Sequence, residues 1–314
     1  METAYNRRRF IKTTGGLALA SMLVPVGLSL FSAKKEDYIK LTILSTNDVH
    51  SRIDPFPLDD KRFPGMAGFA QRSTIVKQIR DEQEHVLLFD AGDIFQGTPY
   101  FNMYGGKLEF ELMSKMGYDA ATMGNHDLDN GLTGFDKYLS EAKFPFICSN
   151  YDFSKTILDK KTVPYQIFEK GPLKIGVIGV GVELEGLVSK KNYGAIIYQD
   201  PIIKANELAK LLKEEKKCDL VVCISHLGFE YESEKVSDKV LAAKSRNIDY
   251  IIGGHTHTFM ETAAEVINLD NEIVMISQTG WGGINLGRME IIFSSEKTKK
   301  IGLTYTTKKV RSQV

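Results

Sequence analysis

Five of the six histidines, His50, His126, His226, His255 and His257, lie in short polar clusters that follow apolar runs. The clusters read Asp48-Val49-His50, Gly124-Asn125-His126-Asp127, Ser225-His226 and Gly254-His255-Thr256-His257; a further acidic one, Gly92-Asp93, ends another run. Imidazole and carboxylate together hold divalent cations, and imidazole also moves protons near neutral pH. Asp-x-His and His-x-His are each expected to put two donors on one side of an extended segment, because side chains alternate with period two. The adjoining glycines let backbone approach a metal closely. One Asp-x-His is an ordinary surface turn, and one buried histidine is an ordinary hydrogen-bonded core residue. A series of such clusters at strand ends predicts a two-metal centre. His85, between Glu84 and Val86, stands outside the pattern and is expected at an exposed strand start.

The elements that must position these side chains alternate along the chain. Residues 38–46, 86–89, 120–123, 173–180, 220–224 and 250–252 are apolar runs of strand length. Residues 67–80, 108–116 and 202–212 carry helical spacing. Alternation of strand and helix predicts an α/β core, whose ligands collect at the carboxyl ends of the strands. Residues 273–277, 286–293 and 301–306 follow one another as strands and predict an added antiparallel part. Residues 51–65 and 97–106 read as loops, the second carrying Tyr100, Phe101 and Tyr104. The glycines at 176, 179 and 181 follow a strand, but they are not in dinucleotide-binding order and no helix clearly follows.

Composition narrows the class. The 314 residues hold 40 Lys+Arg against 40 Asp+Glu, which argues against a broad nucleic-acid-binding face. The three cysteines, Cys148, Cys218 and Cys223, form no CxxC pair, and an odd count is no disulfide framework. Residues 1–33 differ from the rest. Asn6-Arg7-Arg8-Arg9-Phe10-Ile11-Lys12 precedes an uncharged run from Gly15 to Ala33, which resembles a twin-arginine export signal. The alternative is one transmembrane helix, although the run contains Gly15, Gly16, Pro25 and Gly27. An exported, periplasmic protein is expected, tethered to the membrane if the segment is retained.

The order D-x-H, G-D, G-N-H-D, H, G-H-x-H resembles the calcineurin-like metallophosphoesterase family across residues 39–293. The blocks Leu44 to His50, Gly92 to Gly97, Gly124 to Asp129 and Gln278 to Gly287 are similar to its 5′-nucleotidase branch. The resemblance implies an α/β fold, a four-layer αββα sandwich of two mixed β-sheets flanked by helices, over residues 38–314. It implies that one metal takes Asp48, His50 and His257, that the other takes Asn125, His226 and His255, and that Asp93 bridges them. These donors suit Zn, Mn, Fe or Co, with no thiolate nearby. Two divalent cations about 3.5 Å apart repel by about 19 kcal/mol at an effective dielectric of about 20, so an anion must lie between them. Mostly neutral donors leave a net positive centre that attracts a phosphate ester.

The implied reaction is hydrolysis of phosphomonoesters, 5′-nucleotides foremost, by a hydroxide that bridges the two metals. His126 would stand beside the phosphate, oriented and kept protonated by Asp129. Asp90 and Asp127 are expected to be structural, satisfied by backbone donors. Two-domain nucleotidases of this branch carry a second, base-binding domain. The chain stops about twenty residues after Phe293, so that domain is expected to be absent, which leaves room for a separate nucleotide-binding C-terminal-domain polypeptide as partner. Alternatives are a phosphodiesterase on cyclic nucleotides or nucleotide sugars, and a non-catalytic partner subunit.

Overall fold

The computed structural model describes residues 38–295 and 299–311. The expected export segment, residues 1–33, lies outside the described residues. Among the described residues, no helix is long and apolar enough to cross a membrane.

The strands are β1 (Tyr38–Thr46), β2 (Val86–Asp90), β3 (Ala120–Ala121), β4 (Tyr151–Asp152), β5 (Tyr165–Lys170), β6 (Leu173–Gly181), β7 (Ile197–Tyr198), β8 (Leu220–His226), β9 (Tyr250–Ile252), β10 (Ala264–Ile267), β11 (Ile273–Ser277), β12 (Asn285–Ser294) and β13 (Lys300–Lys309). The helices are α1 (Phe69–Glu82), α2 (Pro99–Tyr104), α3 (Lys107–Met116), α4 (Gly131–Leu139), α5 (Lys190–Tyr193), α6 (Pro201–Lys210) and α7 (Asp238–Ala243). One sheet runs β13-β12-β1-β2-β3 and the other β10-β11-β9-β8-β6-β5, with β4 and β7 as a small separate pair. Both large sheets are mixed: β1-β2-β3 and β6-β8-β9-β11 are parallel, and their flanking strands are antiparallel.

Side-chain alternation explains the layering. Leu41, Ile43, Leu87 and Phe89 of the first sheet share one core with Val177, Val222, Ile224 and Tyr250 of the second, so the two sheets face each other. The opposite face of the first sheet, with Leu44 and Leu88, packs on Val76, Ile79, Phe110, Met113 and Phe135 from α1, α3 and α4. The opposite face of the second, with Val221, Cys223 and Ile251, packs on Ala205, Ala209, Leu241 and Ala242 from α6 and α7. The result is the expected four-layer αββα sandwich. All three cysteines are free and buried.

Three expectations change. The terminal strands do not stay together: β11 joins the parallel centre of the second sheet, while β12 and β13 extend the first as antiparallel edges. Residues 97–106 are not wholly loop, because α2 fills their middle. Pro99 starts that helix with its fixed φ, and Gly105, at φ 63°, ends it in the left-handed region. His85 is half-buried rather than exposed. The glycines around 179 now have a packing reason. A Cβ on Gly179 would lie 2.0 Å from the Ile147 carbonyl oxygen, so the strand must be bare there to admit its neighbour.

Phe110 is fully buried, and its ring stands 4.9 Å from Phe95, 5.5 Å from Phe146 and 5.6 Å from Phe135. Phe110→Ala should therefore cost about 3–5 kcal/mol of stability, read as a shift in the urea unfolding midpoint.

Candidate metal centre

Every singled-out ligand sits at or just beyond the carboxyl end of a parallel strand. Asp48 and His50 follow β1, Asp93 follows β2, and Asn125 and His126 follow β3; His226 closes β8, and His255 and His257 follow β9. The sandwich brings these ends together. Asp48, His50 and His257 each offer a ligand atom within 4.8 Å of the others, and Asp93, His226 and His255 do the same.

The two groups touch. His50 Nε2 lies 3.1 Å from His257 Nε2, which lies 3.4 Å from Asp48 Oδ1. His226 Nε2 lies 3.1 Å from Asp93 Oδ2, and the same oxygen is 4.0 Å from His50 Nε2. Donors about 2.1 Å from a tetrahedral cation stand about 3.4 Å apart, so the spacings fit metal ligation. The ring of His126 is 5.3 Å from that of His50, and its Nδ1 is 2.8 Å from Asp129 Oδ2. His50, His126 and His257 line an open cavity of about 330 Å³ together with Arg52, Gln96, Gly97 and Trp281. Trp281 stacks on His257, ring centres 6.0 Å apart.

The backbone reaches this arrangement differently from the expected strand alternation. Asp48, His50, Asp93, His255 and His257 all have positive φ, between 50° and 71°. The paired donors therefore converge through left-handed turns, not along a pleated segment, because β1 ends at Thr46 and β9 at Ile252, before either motif. Close approach is also required. A Cβ on Gly124 would lie 2.2 Å from Asp93 Oδ1.

Buried hydrogen bonds fix the turns. Asp127 accepts from the backbone N–H groups of Asp93, Ile94, Phe95 and Gly124, as a structural carboxylate should. Asp90 accepts from Gly92 N–H and from the Thr46 hydroxyl. His226 donates through Nδ1 to Ala91 O at 2.6 Å, and His50 through Nδ1 to Phe95 O at 3.2 Å, which turns both Nε2 atoms toward the centre. Two residues that had no assigned role also hold it. Asn47 bonds to Asp48 Oδ2, Gly280 O and Thr279, and Gln278 bridges Gly254 O and Thr258 N–H across the His255 turn. Both lie inside the sequence blocks singled out above, but most of their partners are twenty or more residues away, on another strand end.

The electrostatics ask for a cation. Burial pulls the His226 pKa down, but the charges of Asp93 and Asp48 outweigh it and push the imidazole up to about 10. Burial opposes ionisation of Asp93, yet His226, His50 and His126 hold its pKa far below the usual carboxylate range. Burial, helped by the His226 charge, lowers His255 to about 4, so it is a neutral donor; burial also lowers His50. Burial and the neighbouring Asp93 charge raise Asp127 to about 7. The hydrogen bond to Asp129 raises His126. Asn125 Oδ1 is buried and makes no hydrogen bond, while the buried His226 Nε2 has the Asp93 carboxylate at 3.1 Å. An orphaned buried polar atom costs about 1–3 kcal/mol, which a metal at this point would relieve. The residues present thus fit a pair of divalent cations.

A family model for calcineurin-like phosphoesterases matches residues 41–259. The chain belongs to the calcineurin-like phosphoesterase family. It is 34% identical over 237 residues to snake venom 5′-nucleotidase of Gloydius brevicauda, covering 72% of this chain and 38% of that one. It is 30% identical over 294 residues to the trifunctional nucleotide phosphoesterase protein YfkN of Bacillus subtilis, covering 83% of this chain and 19% of that one. The fold superimposes on the 5′-nucleotidase precursor from Thermus thermophilus with a TM-score of 0.79 and 26% identity, over 87% of this chain and 55% of that one. The chain thus spans well under half the length of either of these sequence relatives.

Mn²⁺ or Zn²⁺ should raise the melting temperature, since a cation that binds only the folded centre stabilises it. Gly124→Ala should abolish most of that rise by displacing Asp93, while the far-UV circular dichroism stays that of the unsubstituted protein.

Proposed function

We propose that this chain is a two-metal phosphomonoesterase whose substrates are 5′-nucleotides. The observation that carries the reading is the place of Asp93 Oδ2, which lies within 3.1 Å of one donor group and 4.0 Å of the other. A carboxylate between two imidazole-rich groups is what a cation pair requires, and Asp48 Oδ1, 3.4 Å from His257 Nε2 and 4.0 Å from His226 Nε2, stands close to both groups as well. Asp48, His50 and His257 would hold one metal, Asn125, His226 and His255 the other, and Asp93 both. Bound there, two such ions supply Lewis acidity toward phosphoryl oxygens and lower the pKa of water to about 7.

The chain's own residues do the rest. With metals bound, Asn125 and the imidazole nitrogens would be uncharged donors, His226 giving up the proton that Asp93 and Asp48 otherwise favour on it, so the centre would stay positive and draw a phosphate in. Asp129 takes the Nδ1 proton of His126 as a hydrogen-bond acceptor and leaves Nε2 for the cavity. The raised pKa keeps a proton there, available to the phosphoryl oxygens or the leaving alkoxide. The names of the relatives support nucleotides as the ester class. The pattern from Asn6 to Ala33 supports export by the twin-arginine route to the periplasm.

Metal-loaded protein should release phosphate from 5′-nucleotides and from nitrophenyl phosphate, faster than it cleaves bis(nitrophenyl) phosphate. His126→Ala should lower kcat about 100- to 10,000-fold with metal content retained. Failure to hydrolyse any phosphate ester would sink the reading, and a preference for the bis-ester would replace it with a phosphodiesterase.

A further inference from the structure

A second cavity opens beside the metal cavity. It measures about 640 Å³, within the range of small-molecule sites, and its lining includes Ile53, Pro55, Pro57, Pro99, Tyr100 and Met103. Two strips of chain run from one cavity into the other. The first starts at Arg52, which lines both; the second passes from Gln96 and Gly97 in the metal cavity to Thr98 and Pro99 in its neighbour.

We propose that this second cavity is a leaving-group subsite that takes the planar ring of an aryl or nucleoside phosphate whose phosphoryl group lies at the metals. The inference rests on the phosphomonoesterase reading above.

Charge sets the polarity of such a ligand. Arg52 lines both chambers; its guanidinium is held over the Phe56 ring at 4.1 Å, and its Nε is buried with no hydrogen-bond partner. An anionic ester group is favoured on its metal side. On the far side Asp54 also lines the cavity and accepts a hydrogen bond from the Tyr100 hydroxyl, so an anion is repelled there. That hydrogen bond also steadies the Tyr100 ring, which stacks near-parallel to Tyr104 at 6.4 Å. Prolines and an aromatic ring give flat, rigid apolar walls, which suit a planar ring and lose little entropy when they bind it. Met103, 70% exposed, is an adaptable apolar side chain in the lining.

The test is binding of adenosine alone to the full chain, monitored by saturation-transfer NMR, in parallel with AMP and methyl phosphate hydrolysis. Tyr100→Ala and Met103→Glu should each weaken adenosine binding about fivefold and lower the preference for AMP over methyl phosphate by a similar factor. Met103 is exposed, so its variant tests the site without threatening the fold. Adenosine binding that is absent, or unchanged in both variants, overturns the subsite even where esters are hydrolysed. Adenosine binding that responds to both variants, with no ester hydrolysed, overturns the phosphomonoesterase reading and leaves the ring site standing.

Discussion

The candidate centre depends on holding a carboxylate between two groups of imidazoles. Two like-charged ions a few ångströms apart stay together only if the anion between them cannot move away. Asp93 is accordingly fixed from every side. Its N–H donates to Asp127, its Oδ1 accepts from His126 N–H, and Gly124 leaves room for it. The buried Asp127, with four backbone donors around it, makes the β2 and β3 loops one rigid piece.

The two sheets share the work. The first supplies Asp48, His50, Asp93 and Asn125; the second supplies His226, His255 and His257. Each donor group draws on both, so a metal in either one would tie the sheets together at their carboxyl ends. Protein contacts already join the same places, through His226 to Ala91 and His255 N–H to Asp48. Metal affinity and the docking of the two sheets would therefore be coupled quantities.

Much of this was legible in the sequence because strand ends are local and ligand motifs are short. The runs ending at Thr46, Phe89 and Ile224 named the strands, and the polar residues after them named the donors. The layering followed from the resemblance and from alternation. What stayed hidden depended on distant partners. The local signals for α2, Pro99 at its start and Gly105 at its end, sit within a stretch rich in loop residues that hides a six-residue helix. Nothing near Asn47 or Gln278 announces that they clasp turns from other strands. The left-handed backbone at five candidate ligand positions was also hidden, since alternation gives the same two-on-one-side outcome by another route. Arg52 had no motif at all, and its position between two cavities exists only in three dimensions.

Those left-handed turns restrict which amino acids the centre can use. Histidine and aspartate are among the side chains that tolerate positive φ better than most, and they are also the nitrogen and oxygen donors of the site. Backbone and coordination chemistry thus select the same small alphabet at Asp48, His50, Asp93, His255 and His257. β-Branched residues are shut out twice, by geometry and by having no strong donor. Exchanging these donors for thiolates would set a side chain less suited to positive φ at each of the five turns, so a change of donor chemistry would carry a backbone cost as well.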